Sequence, residues 1–183
     1  MSNSAHRLLD ADQFLAWAEG RPGRWELHDG EAVPMAPERA IHALTKYAVQ
    51  EVLKAAISRA GLPCRMFPDG MTVRINHHNA FEPDALVVCP APALTAVEIP
   101  NPVIVVEVPS PGTQGFDGSA KLEGYFALVS VAHYLILDPD RRILVYHKRG
   151  GEGVIETRIL REGSLRLDPP GLDIAVTALF VEA

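Results

Sequence analysis

Two apolar runs, A-L-V-V-C at 85–89 and V-I-V-V-E-V at 103–108, decide how this chain folds. Neither alternates polar with apolar residues, which is the pattern of strands covered on both faces. Paired antiparallel through the connection 90–102, they set the start of the first beside the end of the second. That end carries a charge in an expensive place. Glu107 stands among Val and Ile, where a carboxylate without a partner is costly. Asp84 immediately precedes the first run, so the pairing brings both acids to one edge of the sheet on neighbouring strands.

Upstream, D-A-D-Q-F-L-A-W-A-E-G (10–20) has an Asp cap, apolar residues at helical spacing and a closing Gly20, the signals of a short helix. R-W-E-L-H-D-G-E-A-V-P-M then sets Asp29-Gly30 between two alternating segments and predicts a hairpin. A long helix is expected from Pro37, with an acid in its first turn. Its buried stripe is read as Ile41, Leu44, Ala48, Val52 and Ala55, with His42, Lys46, Gln50 and Lys54 on a more polar one. After Gly61, C-R-M-F-P-D-G-M-T-V-R-I-N reads as extended and bent at Pro68-Asp69-Gly70.

Downstream, Leu122, Tyr125, Phe126 and Val129 give a helix over 117–130, and 133–138, 142–148 and 154–160 read as an antiparallel meander. The fold class is therefore α/β (α+β), a mixed sheet with helices packed on it. One domain is expected over 1–183, with a core at about 38–138, the N-terminal helix and hairpin at 8–36 and C-terminal strands at 142–183.

Composition narrows the class without naming a partner. The chain has 183 residues, 48% of them hydrophobic and 22% charged, with a net charge of −6. That balance argues against nonspecific nucleic-acid binding through a global basic field, though not against a local basic groove. No apolar run approaches the roughly 20 residues that span a bilayer, and M-S-N-S-A-H-R lacks an apolar signal core. A cytoplasmic protein with no membrane association is expected. Cys64 and Cys89 form no C-x-x-C pair and lie in apolar surroundings, so they read as separate buried thiols.

The segment P-S-P-G-T-Q-G-F-D-G-S-A-K-L-E-G-Y (109–125) suggests a phosphate cradle, but neither glycine motif fits. Lys121 follows Ala120 with Gly118 three residues before it, and Gly112, Gly115 and Gly118 miss the dinucleotide spacing. Asp117, at the expected helix cap, would repel an anion. The acids are the better clue. Two such carboxylates repel unless protonated or bridged by a hard cation, which suits magnesium. Lys121 flanks Tyr125 on its helix, so its stem packs while its amine reaches over the sheet edge. The plainer alternatives are a strand-entry cap for Asp84, a structural ion pair for Glu107 and an Asp117 partner for Lys121.

The order P-D-A-L-V-V … V-I-V-V-E-V-P-S-P-G-T … D-G-S-A-K-L-E-G-Y … H-Y-L-I-L-D resembles the Uma-two (Uma2) family of restriction-endonuclease-like proteins, within the PD-(D/E)XK nuclease superfamily. The likeness runs from about Trp25 to His147 and includes W-E-L-H-D-G-E in the hairpin. It implies a restriction-endonuclease-like core. By resemblance Asp84 matches the PD aspartate, Glu107 the acid of (D/E)XK, and the backbone carbonyl of Val108 a further metal ligand. Pro109 stands where the superfamily has its lysine, and Lys121 occupies the helix position that family members use instead. Glu26, Glu31 and His42 fall where the family pattern puts auxiliary polar groups. Two segments depart from the pattern, Ser110-Pro111-Gly112-Thr113 and His133-Tyr134. The resemblance implies a magnesium- or manganese-dependent endonuclease acting on DNA. A homodimer is expected from the exposed edges of the meander and from the needs of duplex cutting. The alternatives are a binding or assembly module without catalysis, and a hydrolase of smaller phosphoesters.

Overall fold

A computed structural model of the protein describes residues 8–109 and 118–181. Helix α1 (Ala11–Ala18) starts at Asp10, whose side chain accepts from the Gln13 N–H while Gln13 returns a bond to the Asp10 backbone. Strands β1 (Trp25–His28) and β2 (Glu31–Pro34) form the expected hairpin. Asp29 and Gly30 both take positive φ at its turn, 47° and 85°. Helix α2 (Ala40–Ala60) closes at Gly61, φ 62°, whose N–H returns to Ile57 and Ser58. Strands β3 (Arg65–Pro68), β4 (Val73–Arg74), β5 (Ala80–Phe81), β6 (Ala85–Val88) and β7 (Pro102–Glu107) follow. After them come α3 (Gly118–Ala127), β8 (His133–Asp138), β9 (Ile143–Arg149), β10 (Ile155–Leu160), β11 (Ser164–Leu167) and β12 (Leu172–Ala175).

Six strands make the main sheet in the order β10-β9-β8-β7-β6-β3. The decisive pair is antiparallel as expected, with Ala85 opposite Val106. β7 and β8 run parallel, the connection that includes α3. Alternate residues along the strands point to opposite faces. Val106, Leu135 and Tyr146 pack with Val49, Leu53, Ala56 and Ile57 of α2 and with the β11–β12 hairpin. Leu86, Val105 and Tyr134 pack with Tyr125 and Phe126 of α3. A smaller sheet, β2-β1-β5-β4, lies beside α1 through Leu27, Ala80, Ala11 and Phe14.

Four expectations need correcting. α2 begins at Ala40 rather than Pro37, because Glu38 turns away to pair with Lys46 at 2.8 Å. Its buried face is also rotated. His42, Thr45, Lys46, Val49, Leu53, Ala56 and Ile57 are buried, whereas Leu44 is 53% exposed. Apolar residues are spread around α2, so periodicity left its phase open, and contact with the sheet fixes it. Val129 lies beyond α3 and is exposed. Cys64 and Cys89 are joined in a disulfide. The β3–β6 register sets Arg65 opposite Val88 and so brings the two cysteines together, with Cα atoms 4.3 Å apart. Asp117, with Gly112 and Gly115 before it, falls outside the described residues. Among the described residues no helix is long and apolar enough to cross a membrane.

Candidate active site

Where β6 begins and β7 ends, a cleft of about 640 Å³ opens between the hairpin, the start of α2, α3 and the sheet. Asp84 and Glu107 both line it, as the antiparallel register requires. The Asp84 backbone N–H donates to the Val106 carbonyl at 2.9 Å, and its own carbonyl accepts from Gln50 Nε2 at 3.0 Å. Its side chain is held on both oxygens. Oδ2 accepts from the Val108 N–H at 2.6 Å, and Oδ1 lies 2.6 Å from Lys46 Nζ.

Glu107 faces α3. Its Oε1 accepts from Tyr125 Oη at 2.8 Å and from Lys121 Nζ at 3.1 Å. The same lysine donates to Glu26 Oε1 at 2.9 Å, so one ammonium bridges two buried carboxylates from different sheets. Glu26 also accepts from the Glu82 N–H at 2.8 Å and meets His28 Nε2 at 3.0 Å. α3 comes close enough to do this because Gly124 has no side chain. A Cβ there would sit 2.8 Å from Phe81 Cε2.

These surroundings pull the acids apart in strength. Burial pushes the Glu107 carboxyl up to about 8, against the pull of Lys121 and with the help of the Asp84 and Glu26 charges. Asp84 is likewise raised by burial, with Lys46 and the Val108 N–H opposing. Burial would raise Glu26 too, but hydrogen bonds from His28 and Lys121 and the lysine's charge outweigh it and hold the group at about 2. Burial would lower Lys46, but Asp84 and Glu38 keep it above its ordinary value.

Of the residues singled out in the sequence, the structure brings Asp84, Glu107, Lys121, Val108 and Glu26 to one cleft. Glu31 is exposed on β2, and His42 is buried in α2 with no hydrogen-bond partner on Nδ1 among the described residues; neither lines the cleft. Three further groups join the site unannounced. Lys46 lies on the buried face of α2, one turn before Val49 and two before Leu53, a face that contact with the sheet selects. Tyr125, read as core, is buried but donates its hydroxyl inward. Arg24 lines the cleft and binds Asp69 at 2.7 Å and Glu82 at 2.8 Å.

Among the described residues there is no cluster of three or more His, Cys, Asp or Glu side chains arranged to hold a metal. What is present is a pair of carboxylates, a hard-oxygen donor set of the kind magnesium uses when water and phosphate complete its shell. Glu107 Oε2 has no partner among the described residues, which leaves an oxygen for such a cation. In donor chemistry the site fits magnesium or manganese.

A family model, Uma2, described as "Putative restriction endonuclease", matches residues 11–179. An uncharacterized protein of Synechocystis sp. is 25% identical over 175 residues, covering 94% of this chain and 91% of that protein. The fold is also similar to a solved structure from Anabaena variabilis ATCC 29413, described as "a putative nuclease belonging to DUF820". That similarity has a TM-score of 0.72 at 14% identity, over 93% of this chain and 97% of the other.

Proposed function

This chain belongs to the Uma2 family, and on that premise we propose that it is a metal-dependent endonuclease hydrolysing DNA phosphodiester bonds. The observation that carries the proposal is the meeting of Asp84 and Glu107 at adjoining strand ends, with the Lys121 amine 3.1 Å from Glu107. Asp84, Glu107 and the Val108 carbonyl would hold magnesium or manganese. The bound cation supplies Lewis-acid stabilisation of charge on phosphorus oxygens and a more acidic water. The protein's own groups do the rest. The Tyr125 hydroxyl fixes the rotamer of Glu107, and the Val108 N–H fixes that of Asp84. Lys121 stands where an ammonium can orient the attacking water or steady the leaving oxygen. Lys46 and Arg24 put positive charge on the opposite wall, against the phosphodiester. The partners on this reading are DNA and a second copy of the chain.

Cleavage of mixed DNA substrates with magnesium or manganese tests it. Asp84→Asn and Glu107→Gln are each expected to lower the rate by about 10²-fold or more, the scale of losing one charge-stabilising group. Unchanged rates in both variants overturn the assignment.

One observation favours a binding module without catalysis. Each carboxylate already has a lysine beside it, Lys46 on Asp84 and Lys121 on Glu107, so both acids have a cationic partner before any metal binds. Calorimetry separates the two. The endonuclease reading expects magnesium or manganese binding that disappears in Asp84→Asn, and the module expects none in the parent protein.

A further inference from the structure

β10 is the outer strand of the main sheet, and Ile155 to Ile159 along it are exposed, with Leu160 half-buried. Three of the large apolar side chains on the surface belong to this strand or its entry: Val154 at 56% exposure, Ile155 at 37% and Ile159 at 70%. An open edge of this kind is a template for another strand, and soluble proteins usually guard or cover it.

The backbone fixes which groups are open. Arg149 N–H donates to Ala132, away from β10, so Arg149 and Ile155 form a non-hydrogen-bonded pair. Ile155, Thr157 and Ile159 therefore direct their N–H and C=O groups outward. Antiparallel pairing with an identical strand must set these three opposite one another, which leaves three central registers. A two-fold axis at Glu156 opposes Glu156 to itself, and one at Arg158 opposes Arg158 to itself. An axis at Thr157 sets Ile155 against Ile159, Val154 against Leu160, and Glu156 against Arg158, each contact made twice. Only that register replaces like charges with opposite ones. Neither Glu156 nor Arg158 has an ion-pair partner among the described residues.

We propose that the edge of β10 is the homodimer surface, paired antiparallel about Thr157 with the same strand of a second copy. This deepens the two-copy part of the proposed function and names its interface. The axis stands perpendicular to the sheet, so six strands from each copy form one continuous sheet with the α3 faces of both copies on the same side. The interface is isologous, and the strand is its own complement.

Sedimentation velocity over a concentration series, without DNA or metal, tests the surface independently of any cleavage. The parent chain is expected to dimerise. Glu156→Arg or Arg158→Glu alone puts like charges face to face and should raise the dimer dissociation constant about tenfold or more. The double exchange, Glu156→Arg with Arg158→Glu, should restore it. Thr157→Cys should give a disulfide-linked dimer on a non-reducing gel, since residues opposed in a hydrogen-bonded pair have Cα atoms about 5.5 Å apart, within disulfide reach. Glu156→Cys and Arg158→Cys should not, because neither meets itself. A parent chain monomeric throughout, a double exchange that stays monomeric, or cross-linking at 156 or 158 in place of 157 overturns the proposal.

Discussion

Lys46 and Lys121 approach the two acids from opposite faces of the sheet. On the α2 side, Lys46 is shared by Glu38 at 2.8 Å and Asp84 at 2.6 Å, with Asp69 at 3.8 Å. Asp84 is fully engaged there, one oxygen on the lysine and the other on the Val108 N–H. On the α3 side, Lys121 is shared by Glu26 and Glu107, two acids of opposite character. Glu26 is held at about 2 by its donors, while burial lifts Glu107 to about 8. The α2 half is thus an ion pair in which Lys46 and the Val108 N–H together oppose the burial that raises Asp84. The α3 half contains an acid that is already neutral over much of the physiological range and can absorb the loss of its partner by keeping a proton.

The sharpest way to break this contrast is to remove each lysine in turn and follow urea denaturation at neutral pH. Lys46→Met removes the charge that opposes the burial of Asp84 and also the partner of Glu38, and is expected to cost about 3 kcal/mol. Lys121→Met should cost less, about 1–2 kcal/mol, because Glu107 stays protonated and Glu26 keeps its bonds from His28 and Glu82. Equal costs would show that the two halves do not differ.

Gly124→Ala probes how the α3 half is assembled. Its methyl meets the Phe81 ring at 2.8 Å, so the helix or the ring must shift, at about 1–2 kcal/mol in the same denaturation series. The shift should weaken magnesium binding while leaving the Lys46–Asp84 half intact.

The smallest effect is a slope with pH. Over the range from about 4.5 to about 8, folded Glu107 holds a proton that the unfolded chain has released. Its contribution to stability is therefore greatest below that range and is lost as pH rises through about 8. On the endonuclease reading a cation would have to displace this proton, so magnesium affinity measured by calorimetry should rise with pH by up to about tenfold per unit and level off above about 8. In Glu107→Gln that rise should vanish.

The comparison also shows what the sequence could carry. Asp84, Glu107 and Lys121 were legible because burial of a charge in an apolar strand demands an explanation, and because helical spacing sets Lys121 beside Tyr125. The hairpin was legible from Asp29-Gly30. Lys46 was not, since α2 has apolar residues on more than one face and its rotation is chosen by what the sheet presents. The disulfide was hidden for a related reason: Cys64 and Cys89 become neighbours only through the β3–β6 register, which no spacing along the chain reveals. Strand β5 is two residues long and β4 likewise, too short for any period to register. Tyr125 reads as core from its spacing, and only the tertiary position of Glu107 turns its hydroxyl into a donor.

The bridge between Cys64 and Cys89 spans 25 residues and encloses β3 through β6, Asp84 included. On the chain-entropy account, a loop of that length removes about 3.5 kcal/mol of freedom from the unfolded state. Asp84 thus belongs to a covalently closed ring, while Glu107 lies outside it. Once the bridge has formed, Asp84 stays within the ring even in the unfolded chain, whereas Glu107 is held only by the folded sheet.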